Sequence, residues 1–354
     1  MFDILNKPIR GRGAEGNPLE RFVSLRVEYD DGEAPGRVET KVFVDHSSSV
    51  ISKNESPDLG MMASVNPYRG CEHGCAYCYA RPTHEYLGFG SGVDFESRIM
   101  VKTEAPKLLR ATLMKPRYRV VPVTMSGVTD CYQPLEKKLR VTRGCLEVFA
   151  EFRHPVAIIT KNHLVTRDVD LLSELAKFQA SMVYVSITSL DADLAHKLEP
   201  RASSPKMRLE AVRLLRAAGV PVGVSVAPMI PGLNDHEIPA ILEAAAQAGA
   251  MAAFYSVVRL PFGVKEVFAE WLETHFPDRK EKILGRIRES QGQTMSHPEF
   301  GKRLSGVGVW AEQVAQLFRV GMIRSGLAKM ERPKLSNAAF RRPGEQMQLE
   351  LVGV

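Results

Sequence analysis

Short apolar runs alternate with longer helical patterns between residues 63 and 258, and this alternation limits the fold more than any other feature of the sequence. The apolar runs predict six strands, and each of the first five is followed by a helix. The predicted strands are Ala63–Tyr68, Tyr118–Thr124, Val156–Thr160, Met182–Ile187, Val220–Val226 and Met251–Val258. Strands separated by helices of this length pair in parallel through right-handed crossovers. The alternation therefore predicts an α/β fold built on a parallel sheet.

The helices predicted between these strands are Thr103–Met114, Leu135–Arg153, Val169–Phe178, Pro205–Ala218 and Asp235–Gln247. Gly219 and Gly249 follow the last two helices, at the position where glycine commonly ends a helix. Pro122 lies inside the second predicted strand, where it would remove a hydrogen bond from a central strand. Beyond Leu260 the strand pattern stops, and the predicted helices are Lys265–Phe276, Asp278–Ser290 and Trp310–Arg319.

The two ends of the chain have weaker patterns. Arg21–Tyr29 and Val38–Val44 alternate well enough to predict two short strands, joined as a hairpin across Asp30–Glu33. From Arg332 onward the sequence predicts a poorly ordered tail or a loop packed over the α/β core. The expected domains are an N-terminal extension at 1–60, a core at 61–262 and a helical C-terminal extension with a basic tail at 263–354.

Three of the five cysteines lie in the stretch Gly70–Tyr79, which reads G-C-E-H-G-C-A-Y-C-Y. Cys71, Cys75 and Cys78 have the spacing C-x3-C-x2-C, and thiolates are soft ligands that suit iron–sulfur clusters or zinc. A cluster of four irons held by three cysteines has one iron without a protein thiolate, and that iron is open to a substrate or cofactor. Gly74 allows a tight bend between the first two cysteines.

A structural zinc site is the alternative interpretation of the same residues. His73 could complete a Cys3His set, and the chain would then be a zinc-stabilised nucleic-acid-binding protein without catalysis. Zinc ligands usually come as two separated pairs, however, and no second C-x-x-C pair exists in this sequence. An odd number of cysteines and a start without a secretory signal favour a reducing compartment, so we expect a cytoplasmic protein.

With an aromatic residue before the third cysteine, the motif resembles the signature of the radical S-adenosylmethionine (SAM) enzymes. The longer stretch N-P-Y-R-G-C-E-H-G-C-A-Y-C-Y-A-R resembles more closely the spore photoproduct lyase-like branch, and the likeness extends over residues 64–261. The opening stretch resembles an uncharacterised bacterial radical SAM family of the same branch. This resemblance implies a partial (β/α)6 TIM-like barrel, with its chemistry at the carboxyl ends of the strands.

The resemblance also implies the cofactors and the reaction. In such enzymes three cysteines hold a 4Fe–4S cluster, and the amino and carboxylate groups of SAM chelate the fourth iron. One electron from an external reductant of the flavodoxin or ferredoxin type then cleaves SAM and yields a 5′-deoxyadenosyl radical. Cys71, Cys75 and Cys78 are the expected cluster ligands. The substrate is not assigned by the resemblance, and the reaction is left open between a lyase and a transferase reaction.

The same resemblance assigns roles to side chains near the cysteines and at the strand ends. It implies that Tyr77 packs against the adenine or the cluster, and that Tyr79 contacts SAM or relays a hydrogen atom as the catalytic residue. Thr129 and Asp130, in the loop after the second strand, are expected to bind the SAM amino group. Lys161 is expected to meet the SAM carboxylate, or else to lie at the barrel rim.

Later strand ends supply the remaining expected cofactor contacts. The hydroxyls of Ser186 and Thr188 are expected to bond the ribose. Arg201 is expected to form a carboxylate fork or, alternatively, a surface salt bridge. Pro228 and Ile230 lie in the loop after the fifth strand, whose counterparts in the family lie against the adenine. The residues predicted to cap the helices that follow these loops are Asp191 and Asn234.

The sequence departs from spore photoproduct lyase itself at one position. That enzyme carries a cysteine hydrogen donor a few residues before the matching aspartate, where this chain has Gly127. Cys131 lies just after Asp130 and is either a displaced donor or, as we favour, an ordinary buried cysteine. DNA photoproduct repair is therefore the alternative enzymatic function rather than the expected one.

The chain carries a net charge of +6 and has a sequence pI of about 9.0, which permits an anionic partner such as nucleic acid. Basic residues cluster at Arg279–Arg288 and again at Arg324–Arg342, which indicates either nucleic-acid contact or solvated surfaces. No run of eighteen apolar residues occurs, so we expect no membrane span. The sequence does not predict the oligomeric state.

Overall fold

The computed structural model describes residues 9–19, 21–22, 38–60 and 62–344. Ten strands lie in these ranges and form two sheets. The strands are β1 Lys41–Val44, β2 Ile51–Lys53, β3 Ala63–Val65, β4 Tyr68–Arg69, β5 Arg98–Val101, β6 Val123–Met125, β7 Val156–Thr160, β8 Ser181–Ser186, β9 Val222–Met229 and β10 Ala252–Val257. The strand predicted at Arg21–Tyr29 and its hairpin lie largely outside the described residues.

Twelve α-helices occur in the same described ranges. They are α1 Val93–Ser97, α2 Ala105–Leu113, α3 Glu136–Leu139, α4 Val141–Phe152, α5 Val169–Ala176, α6 Ala192–Leu198, α7 Pro205–Ala217, α8 Ile238–Gln247, α9 Val264–His275, α10 Lys280–Ser290, α11 Lys302–Ser305 and α12 Gly308–Arg324. Among the residues described, none of these helices combines the length and the apolar character needed to cross a bilayer.

The larger sheet has the strand order β2-β3-β6-β7-β8-β9-β10. From β3 to β10 every neighbouring pair is parallel, and each new strand is added beside the previous one. The edge strand β2 is antiparallel to β3. A parallel sheet wound always in one direction forms a barrel wall instead of a doubly wound layer. The predicted α/β fold with a partial (β/α)6 barrel is confirmed, and in the described residues the wall stays open between β2 and β10.

A small second sheet, ordered β1-β5-β4, positions the start of the cysteine stretch. Strand β1 runs parallel to β5, and the two-residue strand β4 runs antiparallel to it. The cysteines follow β4 directly, so the pairing of β4 with β5 fixes the point from which their loop departs. The division of the chain into domains at residues 60 and 262 stays a prediction.

Alternate residues of the barrel strands face opposite sides of the sheet. On β8, Val183 and Val185 are buried in the core that the sheet shares with the helices, so Tyr184 between them faces the lumen of the barrel. Gly223 on β9 makes room for this ring, because a Cβ at Gly223 would lie 2.5 Å from Cε1 of Tyr184. Tyr184 meets Phe254 of β10 edge to face, with ring centroids 5.0 Å apart.

Three of the predicted elements differ from the structure by more than a shift at their ends. The first predicted strand is two strands in different sheets, because Pro67 between them has no N–H to continue a ladder. The second predicted strand begins only after Pro122, for the same reason. The helix predicted at Leu135–Arg153 is broken at Arg140, whose φ is +54°. The buried carboxylate of Glu136 accepts the backbone N–H of Thr142 at 3.0 Å and so caps the start of α4.

Residues 332–344 pack as a loop across the amino ends of the barrel strands. The backbone N–H of Ser336 donates to the carbonyl oxygen of Gln179 at 2.9 Å, just before β8. The ring of Phe340 stands edge-on to His154, which precedes β7. Of the two alternatives predicted for the tail, the packed loop is confirmed for these residues.

An ion pair connects the two edges of the open wall. Asp58, in the loop between β2 and β3, accepts hydrogen bonds from Nε and Nη2 of Arg303, both at 2.7 Å. Arg303 belongs to α11, which contacts β10. The hydrogen bonds from Arg303 are the main reason why the pKa of Asp58 is lowered to about 2. The pair therefore stays charged at neutral pH and links the loop after β2 to the helix beside β10.

His154 should make the stability of the protein depend on pH. Burial lowers the pKa of this histidine to about 4 from its usual value of 6.5. Protonation is therefore easier in the unfolded chain, so the stabilisation is complete above pH 6.5 and is lost as the pH falls towards 4. We expect the free energy of unfolding to fall by on the order of 3 kcal/mol over this range because of His154.

Urea denaturation at several pH values would measure this loss in the wild type and in His154→Gln. The glutamine variant should lose less stability between pH 7 and pH 4.5 than the wild type. Equal losses in the two proteins would show that His154 is not a buried neutral group.

Candidate active site at the cysteine loop

The cysteine loop, defined here as residues 70–80, is shaped by two glycines with positive φ. Gly70 has a φ of +81° and Gly74 a φ of +68°, conformations that L side chains rarely adopt. The loop is also fastened by backbone hydrogen bonds. The N–H of Cys71 donates to the carbonyl oxygen of Phe95 at 2.9 Å, and the N–H of Cys78 donates to that of Cys75 at 3.2 Å. These bends place all three cysteines on one compact turn.

The three thiols of this loop fit an iron–sulfur cluster. Cys71 is buried, whereas Cys75 and Cys78 are half-buried. Burial raises the pKa of Cys75 and Cys78, and the neighbouring thiols of the loop add to this effect. Iron binding would therefore displace protons from thiols that are otherwise neutral. The other two cysteines of the sequence, Cys131 and Cys145, are fully buried in the core of the barrel, so no fourth thiol joins the set.

His73 is not available as a fourth zinc ligand in this structure. Its Nδ1 lies 3.4 Å from a carboxylate oxygen of Asp130, and its Nε2 lies 3.2 Å from the side-chain amide nitrogen of Asn162. Burial lowers the pKa of His73, but the charges of Asp130 and Cys71 outweigh it and raise the pKa to about 10. Among the described residues, no three His, Cys, Asp or Glu side chains are arranged to hold a single metal ion. The contacts of His73 with Asp130 and Asn162 therefore do not leave it free to act as a fourth zinc ligand.

A fully buried arginine clamps the backbone of the cysteine loop. Arg81 donates to the carbonyl oxygen of Cys75 at 2.7 Å and to that of Gly92 at 2.8 Å, and it forms an ion pair with Glu96. Both charged side chains have no exposed surface. This role of Arg81 was not predicted from the sequence, although Arg81 ends the extended motif that carries the resemblance.

The N-terminal segment 9–18 packs directly on the cysteine loop. The backbone N–H of Gly13 donates to a carboxylate oxygen of Glu96 at 3.0 Å. A Cβ added to Gly13 would lie 1.7 Å from the carbonyl oxygen of Gly74, so only glycine fits this contact. The segment therefore covers the turn between the first two cysteines.

The Tyr77 hydroxyl takes part in a buried network of hydrogen bonds. Its hydroxyl donates to Glu199 and lies 3.3 Å from Oγ1 of Thr188, which itself donates to Glu199 at 2.6 Å. Arg208 completes the network as the ion-pair partner of Glu199. Burial works against the charged form of Glu199, but Arg208 and Lys161 outweigh it and hold its pKa below the usual value. The predicted ribose contact of Thr188 would therefore compete with Glu199 for its hydroxyl.

Tyr79 lies in a different environment from Tyr77. Its side chain is 46% exposed, and its hydroxyl donates to the carbonyl oxygen of Gly127 at 3.0 Å. The guanidinium carbon of Arg259 lies 4.7 Å from the centre of its ring. Tyr79 is thus an accessible phenol beside Cys78, at the carboxyl ends of the strands.

The Asp130 carboxylate is occupied by donors from the protein. One oxygen accepts from Tyr132 N and Thr160 Oγ1, both at 2.8 Å, and the other accepts from Lys161 N at 2.8 Å and faces His73. Burial raises the pKa of Asp130, but the His73 charge outweighs it and keeps the pKa low. The predicted contact with the SAM amino group stays a prediction, and in this structure Asp130 connects β6, β7 and the cysteine loop.

Thr129 and Lys161, which are also predicted to contact SAM, lie in different environments. The Thr129 hydroxyl is buried and donates to the carbonyl oxygen of Tyr68 at 2.7 Å, so it is already used. The ammonium of Lys161 lies 6.0 Å from the centre of the Tyr77 ring. Burial lowers the pKa of Lys161, but the charges of Glu199 and Cys75 outweigh this effect, so the pKa lies above its usual value. Lys161 is therefore a charged group directed towards the cysteine loop.

Arg201 forms an ion pair with a buried carboxylate, so the pair is not the surface salt bridge of the alternative interpretation. Its Nη2 lies 3.0 Å from Oε1 of Glu72, inside the cysteine loop, and its backbone N–H donates to the carbonyl oxygen of His73 at 3.2 Å. The side chain borders an open cavity together with Thr40 and Lys138. A role of Arg201 toward SAM stays a prediction, and its observed contacts hold the cysteine loop from the outside.

The remaining predicted contacts lie at the ends of β8 and β9. Ser186 is buried on the lumen side of β8, and Pro228 follows a cis peptide bond on β9. Ile230 is fully buried in a cluster that also contains Ala76 and Tyr77 of the cysteine loop.

The two predicted helix caps had different outcomes. The Asp191 carboxylate accepts the N–H of Asp193 at 2.8 Å, so its cap is confirmed. The cap predicted for Asn234 was wrong, because its amide instead bonds Ile230 N and the carbonyl oxygens of Thr188 and Pro228. Asn234 therefore fixes the loop that contains Pro228 and Ile230, which are predicted to contact the adenine. Its side chain does not cap a helix.

Cys131 is an ordinary buried cysteine, as predicted. Its side chain has no exposed surface, and its backbone N–H donates to the Ser126 hydroxyl at 2.8 Å. Burial raises the pKa of its thiol well above the usual value. Gly127, the position at which the resemblance implies a donor cysteine in the lyase, presents its carbonyl oxygen to Tyr79.

Residues 65–245, which make up half of the chain, match the sequence profile of the radical SAM superfamily. The chain belongs to the radical SAM superfamily. An uncharacterized protein of Mycobacterium tuberculosis is 36% identical over 228 residues, which cover 64% of this chain and 66% of that protein, just under two thirds of its length. The protein named radical SAM Nalpha-GlyT isomerase of Pseudomonas phage M6 is 27% identical over 66% of this chain and 48% of its own.

A solved structure of spore photoproduct lyase, complexed with dinucleoside spore photoproduct, superposes with a TM-score of 0.57. The two chains are 16% identical, and the match covers 80% of this chain and 78% of the lyase, so it shows a common fold. Radical SAM proteins use a 4Fe–4S cluster and SAM, and these are the cofactors of this chain.

Replacement of Gly13 by alanine should loosen the cysteine loop. The added Cβ would collide with the Gly74 carbonyl, so the N-terminal segment must move away from the turn that bears Cys75. We expect Gly13→Ala to bind less iron after anaerobic reconstitution and to lose its iron faster in air.

The matched control is Gly16→Ala on the same segment, where an added Cβ would meet nothing within 4 Å. Iron content and the rate of visible bleaching would be compared for both variants and the wild type. If Gly13→Ala behaved like Gly16→Ala, the segment would not support the cysteine loop.

Proposed function

We propose that this chain is a radical SAM enzyme in which Cys71, Cys75 and Cys78 hold a 4Fe–4S cluster that cleaves SAM reductively. The observation that carries the proposal is the set of three thiols on one clamped loop, with the other two cysteines buried in the core. Such a set satisfies three irons of a cubane and leaves one iron for a non-protein ligand. When both cofactors are bound and one electron is supplied, they provide a 5′-deoxyadenosyl radical that removes a hydrogen atom from the substrate.

The protein groups around the loop divide into those that hold it and those that remain accessible. Arg81, Glu96 and Glu199 are buried and hold the loop backbone and Tyr77 in place. Lys161 supplies a positive charge near the loop, which suits the SAM carboxylate. Tyr77 and Ile230 form part of one apolar cluster beneath the loop, which supports a contact with the adenine.

Tyr79 is the proposed catalytic residue because it is the accessible phenol beside a cluster ligand. Its hydroxyl is fixed on Gly127, and its ring is fixed beneath Arg259, so its position relative to Cys78 is well defined. A fixed phenol can contact SAM or relay a hydrogen atom, since such transfers require near contact of the reacting atoms. Thr129, Asp130, Ser186, Thr188, Arg201 and Pro228 complete the proposed cofactor surroundings, most of them by positioning the loops.

The reaction class is left open between a lyase and a transferase reaction. One relative is named an isomerase, and the protein that shares the fold is named a lyase. A photoproduct lyase reaction is not favoured, because Gly127 has no thiol and Cys131 is sealed in the core. A one-electron reductant of the flavodoxin or ferredoxin type and nucleic acid remain the proposed partners.

The triple variant Cys71→Ala/Cys75→Ala/Cys78→Ala should bind almost no iron. Each of these thiols supplies one cluster ligand, and no other thiol of the chain reaches the loop. Iron and labile sulfide would be measured after anaerobic reconstitution, together with 5′-deoxyadenosine formed from SAM under reduction. Both quantities should fall to background.

The matched control is Cys131→Ala/Cys145→Ala, which removes the two buried thiols and keeps the three in the loop. This control should retain iron and the formation of 5′-deoxyadenosine. A triple variant that kept its full iron content, or a control that lost it while folded, would refute the proposed ligand set.

A further inference from the structure

Arg259 lies at the open side of the barrel, beside the accessible phenol. It follows β10 and places its guanidinium over the ring of Tyr79, with 4.7 Å between the guanidinium carbon and the ring centre. Tyr79 in turn donates to the carbonyl oxygen of Gly127, which follows β6. Strand β10 is one edge of the wall and β6 lies near the other edge. Arg259 and Tyr79 together therefore connect the two sides of the opening.

The guanidinium of Arg259 lies over the face of Tyr79 and forms no ion pair or side-chain hydrogen bond with the residues that the structure describes. The charge of Asp58 is near enough to raise the pKa of Arg259, but Asp58 itself is hydrogen-bonded to Arg303. The nearby cation Arg303 differs, because Asp58 holds it through two hydrogen bonds of 2.7 Å. Burial also lowers the pKa of Arg259, which indicates that its charge is only partly hydrated.

A partly buried guanidinium without an acceptor is stabilised when an anion binds to it. Its five N–H donors form a planar fork that matches the oxygens of a phosphate or a carboxylate. The ring of Tyr79 satisfies the charge only in part, since a cation–π contact accepts no hydrogen bond from the fork. The position beside Tyr79 is therefore suited to an anionic group that arrives from outside the protein.

We propose that Arg259 binds an anionic group of the substrate, a phosphate or a carboxylate, at the open side of the barrel next to Tyr79. This inference rests on the proposed function, because it takes the space beside the cysteine loop as the place of reaction. The SAM carboxylate is assigned to Lys161, which lies on the Tyr77 side of the loop. Two cations on two sides of the loop thus serve two different anions.

The lumen beneath this position is suited to a polar substrate body. Thr124 and Ser225 are each at least 95% buried and lie at lumen positions of their strands. Hydroxyls both donate and accept hydrogen bonds, so the lumen offers polar contacts to a substrate body.

Arginine modification on the reconstituted wild-type protein would test the proposal without a variant. Holoenzyme with saturating SAM would be treated with phenylglyoxal, and modification of Arg259 would be followed by peptide mass spectrometry. The probes are inorganic phosphate and acetate, each compared with chloride at equal ionic strength. The exposed Arg319 on α12 serves as the internal control.

At least one probe should slow the modification of Arg259 several-fold and leave that of Arg319 unchanged. Protection by phosphate alone would identify a phosphate ester as the substrate class, and protection by acetate alone would identify a carboxylate. Absence of protection by both probes would overturn the proposal. Complete protection by SAM before any probe is added would also overturn it, because the guanidinium would then belong to the cofactor.

Iron content and 5′-deoxyadenosine formation would be measured in the same samples. Normal values with an unprotected Arg259 would refute only the anion site. Absence of iron and of 5′-deoxyadenosine would refute the proposed function, and the anion site with it.

Discussion

The position of the cysteine loop depends on one buried ion pair, Arg81 with Glu96. Neither side chain is exposed, and burying two charges is costly unless their remaining donors and acceptors are satisfied. Arg81 satisfies its donors with carbonyl oxygens that include that of Cys75, and Glu96 accepts the N–H of Gly13. The pair therefore connects the N-terminal segment, the loop and the helix before β5, and breaking it would leave an unpaired charge beside the cluster ligands.

Two further polar groups extend this arrangement around the loop. Glu199 accepts a hydrogen bond from the Tyr77 hydroxyl, and Asp130, in the loop after β6, lies beside the ring of His73. Most charged groups near the cysteines are consequently engaged with protein partners in the described residues. The groups that stay accessible are few, and Tyr79, Lys161 and Arg259 are the ones on which the proposed chemistry depends.

The order of the strands and the cysteine spacing could be predicted because both are periodic or local in the sequence. The role of Arg81 could not, since its partner lies 15 residues away without a pattern that connects them. The Gly13–Gly74 contact is likewise invisible without the fold. Polar residues at strand ends, such as Asp130 and Thr188, have the same sequence signal whether they contact a cofactor or a neighbouring loop. That ambiguity explains why the predicted ligands include several residues that the structure shows bonded to protein groups.

The most direct test of this account is the electron paramagnetic resonance spectrum of the anaerobically reduced protein, recorded with and without SAM. The account predicts the signal of a reduced 4Fe–4S cluster that changes shape when SAM is added, because SAM binds the iron that lacks a cysteine. A cluster signal that stays unchanged in excess SAM would contradict the account, and so would the absence of a cluster signal from a folded, reconstituted protein.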